Sequence, residues 1–163
     1  MATDMFIKFD DVEGEATETD HDTWIEILSW NHGFSQPASP LRDSTGSTIE
    51  RANHSDLTIT KYMDKATRRL LKDHWGGHQY EEVTIDCLRA AGDASILYLQ
   101  IIMNDVIISN YSISGGAGDI PIENLSLSYS KVSYQYDSKK KEDGQAEGVQ
   151  KVYHDLKTSE IGE

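Results

Sequence analysis

Ser55-Asp56-Leu57-Thr58-Ile59-Thr60-Lys61-Tyr62-Met63-Asp64-Lys65-Ala66 changes periodicity partway along its length. Leu57, Ile59 and Lys61 alternate with Thr58, Thr60 and Tyr62, the pattern of a strand with one face toward a core and one polar face. Asp64 then stands where a helix N-cap belongs, and apolar positions continue as Ala66, Leu70 and Leu71. Gly76-Gly77 supplies the stop. The stretch therefore predicts a strand running directly into a short helix, which is a packing junction and not a catalytic motif.

Outward from this junction the chain reads mostly β. A short strand is predicted at Met5–Phe9, followed by an acidic loop. Trp24–Phe34 reads as one strong strand, with Trp24, Glu26, Leu28, Trp30, His32 and Phe34 on one face and Ile25, Ile27 and Ser29 on the other. A long Ser/Pro/Gly-rich excursion occupies about 35–49, and connections of that length in a compact domain tend to be functional. Beyond the helix, Glu82–Ala90 and Ile96–Met103 flank the turn Ala91-Gly92-Asp93-Ala94, a hairpin signature. Strand character continues through Asp105–Ile113, and a small-residue loop spans Ser114–Asp119. Leu125, Leu127 and Tyr129 then alternate with Ser126, Ser128 and Ser130, and Val132, Tyr134 and Tyr136 carry the alternation on. A solvated loop is expected at about 138–147 and a last, weaker strand at Val149–Leu156. Many alternating strands with one helix predict a single mainly-β domain over 1–163, an antiparallel sandwich or a barrel with one flanking α-helix. Closure into a barrel would remove exposed sheet edges.

Composition narrows the function. With 15 Lys+Arg against 28 Asp+Glu, the 163-residue chain carries a net charge of −13. A basic footprint for nucleic acid is missing, and an acidic membrane surface is disfavoured for the same reason. The charge is uneven. Asp4, Asp10, Asp11, Glu13, Glu15, Glu18, Asp20 and Asp22 crowd the start, opposed by Lys8, while Lys61, Lys65, Arg68, Arg69 and Lys72 cluster around the helix. Such runs are commonly solvated faces, but two opposite patches also suit a subunit contact in which complementarity fixes register. Lys61, Lys65, Arg68, Arg69 and Trp75 are the candidate contact residues.

Cys87 is the single cysteine, so no intramolecular disulfide can form, and its place in a strand-like run predicts a packed thiol rather than a nucleophile. The start Met1–Lys8 lacks the pattern of a secretory signal, and no apolar run reaches membrane-spanning length. The expectation is a chain made in the cytoplasm, without membrane insertion, whose export would need no signal peptide.

Catalytic and ligand motifs are weak. His74 and His78 have helical metal-ligand spacing, but Gly76-Gly77 interrupts the helix between them. Gly115-Gly116-Ala117-Gly118 is followed by no Gly-Lys-Ser/Thr, and Asp10–Glu15 lacks the alternate carboxylates of a calcium loop. Nothing places a nucleophile beside a base. No catalytic residue, cofactor or metal site is predicted.

Several segments together carry a family resemblance: Asp4-Met5-Phe6-Ile7-Lys8, Val12-Glu13-Gly14-Glu15, Leu28-Ser29-Trp30 with Gly33, Ser35-Gln36, Asp56–Lys65, Arg89-Ala90-Ala91-Gly92-Asp93, Tyr98–Ile101, Asp105–Ser109 and Glu123–Val132. In this order the chain resembles the Hcp family, haemolysin-coregulated proteins that form the inner tube of the type VI secretion system. Three places depart from the family pattern. His74-Trp75-Gly76-Gly77-His78 replaces a small-residue run ending Gly-Lys-His, Gly14-Glu15-Ala16 replaces Gly-Glu-Ser, and the Gly-Trp-x-Ile signature survives only loosely around Val152–Lys157.

The resemblance implies a phage tail-tube-like barrel whose homo-hexameric rings stack into a tube. It further implies partners in the secretion sheath, spike and effector proteins, with effectors carried or chaperoned in the lumen. Gln36, Pro37, Ser39, Leu41 and Ser44 are then the candidate ring-stacking residues, and Ser126, Ser128 and Ser130 the candidate lumen-facing ones. The alternatives are a phage-like tail-tube protein and a monomeric β-barrel binding protein or metal-dependent enzyme. Subunits this acidic repel at short range, over about 8–10 Å. Stacking is therefore expected to strengthen as salt rises, unless the acidic and basic patches pair directly.

Overall fold

A computed structural model describes residues 3–36, 52–139 and 146–163. The elements are β1 (Thr3–Phe9), β2 (Ile25–Glu26), β3 (Ser29–Asn31), β4 (Phe34–Ser35), β5 (Asn53–His54), β6 (Leu57–Tyr62), α1 (Thr67–Trp75), β7 (Gln79–Ala91), β8 (Ala94–Ser114), β9 (Ile122–Ser128), β10 (Lys131–Lys139), β11 (Ala146–Asp155) and β12 (Glu160–Gly162).

The ladder of antiparallel pairs returns to its starting strand. β1 pairs β7, β7 pairs β8, β8 pairs β9, β9 pairs β6 and β6 pairs β3. Residues 25–31 close the ring. Ile25 and Glu26 pair with β1, the Ile27 N–H donates to the Met5 carbonyl at 3.0 Å, and the Leu28 N–H donates to the Thr60 carbonyl at 2.7 Å. The predicted Trp24–Phe34 strand is thus three short pieces, because the chain passes from one barrel strand to another instead of following either. Ile25 and Ile27 face the core, whereas Leu28 and Phe34 are exposed.

The barrel interior holds Ile7, Phe9, Leu57, Ile59, Val83, Ile85, Ile101, Met103, Val106, Ile108, Leu125 and Leu127, all buried. Their alternation along each strand is what the pleat requires. Cys87 lies among them, fully buried, and burial pushes its thiol up to about 11. It is a core side chain, as its strand context predicts.

β8 is the backbone of the fold. Its first part lies between β7 and β10, and its second part lies beside β9. The change of partner falls at Asp105, whose φ is +52°. The Asp105 carboxylate accepts from Ser130 Oγ and Lys157 Nζ, each at 2.7 Å, which fixes this bend to the β9–β10 turn. β10, β11 and β12 continue the sheet beyond the barrel as a wing. β4 and β5 form a separate two-stranded ribbon. Residues 37–51, including Pro37, Ser39, Leu41 and Ser44, and 140–145, at the expected solvated loop, fall outside the described residues.

The strand–helix junction forms with one change. Asp64 acts just before the helix: its Oδ1 accepts from the Ala66 N–H at 3.0 Å, while its own N–H donates to Thr67 Oγ1 at 3.2 Å. Ala66 occupies the N-cap position without a side-chain bond. At the other end Gly77 takes φ +66°, and the His78 N–H reaches back to the Asp73 carbonyl at 2.8 Å, the left-handed stop that glycine permits. The acidic loop 10–24 is also ordered. The Gly14 N–H donates to the Thr23 carbonyl at 2.6 Å, and a Cβ on Gly14 would fall 2.3 Å from the Trp24 oxygen, so only glycine fits.

Candidate functional site

The polar face of β3, β6, β9 and the end of β8 is continuous. Ser29 lies opposite Thr60 and Asn31 opposite Thr58. Thr58 and Thr60 lie opposite Ser126 and Asn124, which in turn oppose Asn110 and Ser112. Every one of these side chains is uncharged, in a chain with 28 acidic residues. They bond among themselves: Thr60 Oγ1 donates to Asn124 Oδ1 at 2.8 Å, and Thr58 Oγ1 meets Ser126 Oγ at 3.4 Å. Ser126 and Ser128 share this outward face, since Leu125 and Leu127 point into the core. Ser130 does not. It sits in the turn after β9, where its N–H and hydroxyl bond to Asn104 and Asp105.

The basic face of α1 loses one of its expected members. Lys61 is 0 % exposed. The alternation that puts Leu57 and Ile59 inside puts Lys61 inside too. Its Nζ donates to Glu123 Oε2 at 2.6 Å, and the Tyr62 carbonyl and Asp64 carboxylate lie at 3.0 and 3.1 Å. Glu123 also accepts from Thr67 Oγ1 at 2.8 Å and from the Tyr111 hydroxyl. Burial and Glu123 both hold the Tyr111 proton on, raising its pKa. This fully bonded buried pair joins strand to helix and cannot touch another subunit, which corrects the sequence expectation for Lys61.

Lys65, Arg68, Arg69, Lys72 and Trp75 remain exposed, Trp75 at 78 %. Arg69 is turned along the helix, donating from Nε to both oxygens of buried Asp73 at 3.1 Å. The acidic and basic patches do meet, but within one subunit: the Lys65 N–H donates to Glu15 Oε1 at 3.1 Å, and Lys65 Nζ lies 3.9 Å from Glu13. His74 Nδ1 contacts the Ile108 carbonyl at 2.8 Å, and His78 packs edge-on against Tyr80. Among the described residues, no group of three or more His, Cys, Asp or Glu side chains is placed to hold a metal ion. No helix among them is long and apolar enough to cross a membrane.

Two histidine arrangements gave no signal in the sequence. His21 is buried, stacked on Phe6, with Nδ1 2.5 Å from Glu18 and Nε2 2.7 Å from Asp86. Burial opposes its charge, but the bonds from Glu18 and Asp86 outweigh burial and raise its pKa. The second arrangement is a chain of rings between the β4–β5 ribbon and the wing. The Tyr134 hydroxyl meets His32 Nδ1, and His32 Nε2 lies 2.6 Å from the Tyr129 hydroxyl. That hydroxyl is 2.7 Å from His54 Nδ1, and His54 Nε2 is 2.8 Å from His154 Nδ1. Burial, then His54, pulls His32 down to about 4, and burial, then His154, lowers His54. Gln36, exposed, follows directly on the ribbon.

Among the described residues, an antiparallel barrel with one flanking helix and a sheet wing defines a mainly-β barrel domain. The family model described as "Type VI secretion system effector, Hcp" matches residues 6–136. Protein hcp1 of Pseudomonas aeruginosa is 34% identical over 149 residues, 91% of each chain. A solved structure titled as that of a type six secretion system protein superposes with a TM-score of 0.90 at 28% identity, covering 99% of this chain and 100% of that one. Hcp1 from Salmonella typhimurium follows at a TM-score of 0.78 and 25% identity, with 99% and 100% covered. The chain belongs to the Hcp family of the type VI secretion system.

Proposed function

We propose that this chain is a non-enzymatic subunit of the type VI secretion tube, assembling as homo-hexameric rings that stack and carry effectors in the lumen. The observation that carries this reading is the uncharged face of β3, β6, β9 and β8. In a chain of net charge −13, a wall free of charge suits passage of diverse cargo without tight binding. Exposed Trp75, Ile161, Val149 and Ile120 support assembly, since each would bury apolar area in a contact. A head-to-tail contact closes a ring, and a second, axial contact extends it.

In this reading Ser126 and Ser128 face the lumen, and Lys65, Arg68, Arg69 and Trp75 line a subunit contact. The loop at about 35–49, with Gln36, Pro37, Ser39, Leu41 and Ser44, makes the axial contact. Sheath, spike and effector proteins are the partners. The subunit works in the bacterial cytoplasm and leaves with the tube.

Negative-stain microscopy of the purified protein tests the assembly, and uniform rings are the expected result. Only monomers at high protein concentration would sink it. Ser126→Arg tests the wall: rings should persist while co-purification of effectors falls. Rings that carry effectors as well as the unaltered protein would remove this face from the lumen.

A further inference from the structure

The ring chain from Tyr134 to His154 has four contacts and a limited supply of protons. With all three imidazoles neutral, one direction satisfies everything. Tyr134 donates to His32 Nδ1, His32 Nε2–H to Tyr129, the Tyr129 hydroxyl to His54 Nδ1, and His54 Nε2–H to His154 Nδ1. The reverse direction works equally well, so each contact holds one proton. One added proton is tolerated. If it resides on His54, both ring nitrogens donate, Tyr129 turns its hydroxyl to His32, and no contact is lost. A second proton on the His54–His154 pair is different. Nε2–H then faces Nδ1–H across 2.8 Å, donor against donor, and two positive rings meet.

We propose that the His54–His154 contact is a latch that opens when this pair takes up its second proton, freeing the β4–β5 ribbon from the wing while the barrel stays folded. The ribbon's backbone pairs are internal, Phe34 with His54 and Ser35 with Asn53, so its opening breaks no barrel ladder. The His32 ring stacks on Tyr134 and the Phe34 ring packs edge-on to it, which makes the side chains the connection to the wing. Asp56 is the carboxylate that acts on His32 and Tyr129, and its Oδ2 is held by Ser109 Oγ at 2.5 Å. It offsets only part of the burial that keeps His32 neutral. On His54 the influences are burial and His154, and both oppose charge. The hydrogen bonds accommodate the first proton, and the second is disruptive. The proposal concerns the subunit itself and does not rest on ring assembly.

Amide hydrogen exchange on the full chain, corrected for intrinsic rates, is the test. Between about pH 7 and about pH 4.5, segments 31–36 and 53–56 should lose protection by roughly ten-fold, while β6, β7 and β9 keep theirs. His154→Gln cannot ionise yet still offers an amide to His54, so it should hold ribbon protection to lower pH. His54→Gln should do the same. Loss of protection in ribbon and barrel together would overturn the latch. So would a His154→Gln profile identical to the unaltered protein, or a ribbon whose protection does not change with pH.

Discussion

His21 and His54 both fasten a segment outside the barrel, yet their surroundings favour opposite protonation states. His21 ties the acidic loop 10–24 to β7 by sitting between Glu18 and Asp86, and the two carboxylates favour the imidazolium. His54 ties the ribbon to the wing among hydroxyls and other imidazoles, and burial favours the neutral ring. The two rings differ in their partners more than in their burial. A carboxylate partner turns a buried histidine into an ion-pair clamp, and a histidine partner turns it into a neutral link that acid breaks.

The largest expected effect breaks the first site. Asp86 is 4 % exposed, and it also accepts from Gln100 Nε2 at 2.9 Å. Asp86→Asn keeps that acceptor but removes the charge facing His21, leaving Glu18 alone. The loss should be about 2–3 kcal/mol in urea unfolding at pH 6, below the full cost of stranding a buried charge because Glu18 stays. His154→Gln, where no charge is stranded, should cost about 1 kcal/mol or less under the same conditions. Equal losses at the two sites would erase the distinction drawn between them.

The pH dependence should then split by sign. His21 has a raised folded pKa, so its contribution is complete below the unfolded value of about 6.5 and is lost as pH rises through the folded value. His32, lowered to about 4, does the reverse: its contribution is present above about 6.5 and fades as pH falls toward 4. Discounted for partial exposure, the His32 share is on the order of 1–2 kcal/mol. Across pH 4 to 9, His32→Gln should shrink the acid arm of stability, to which His54 also contributes, and His21→Gln should shrink the alkaline arm. An acid arm that survives His32→Gln unchanged would remove the second half of the comparison.

Neither site was legible in the sequence, and the reason is distance along the chain. His21 and Asp86 are brought together by the β1–β7 register, and His54 meets His154 only because the ribbon packs on the wing. Local periodicity carries no such information. It did carry the junction at 55–66, the hairpin around Gly92, where φ is +64°, and the helix at Thr67–Trp75, since each depends on near neighbours. Lys61 is the instructive middle case. Its alternation with Leu57 and Ile59 marks it as inward, but its charge suggests a surface contact, and the partner that resolves the conflict, Glu123, lies on β9. The Trp24–Phe34 stretch failed for the converse reason. Its alternation holds only through Leu28; Ser29 and Asn31 then face outward while Trp30 packs on the core, because the segment hands over from β1 to β6 midway and a closing barrel imposes that break from outside. The neutral face was partly legible, through Ser126 and Ser128, and became whole only when four strands aligned it.

The smallest effect sets the scale for both histidine sites. Lys65 and Glu13 lie 3.9 Å apart with side chains 52 % and 78 % exposed, so water already solvates both charges. Glu13→Gln should change the stability of the isolated subunit by no more than about 0.5 kcal/mol, and moderate salt should hide even that. The same substitution discriminates where the acidic patch acts. If Glu13 pairs only within its own subunit, ring formation should be indifferent to Glu13→Gln across the salt range. A ring population that falls with Glu13→Gln, while subunit stability holds, would instead place this acidic loop against the basic helix of a neighbour.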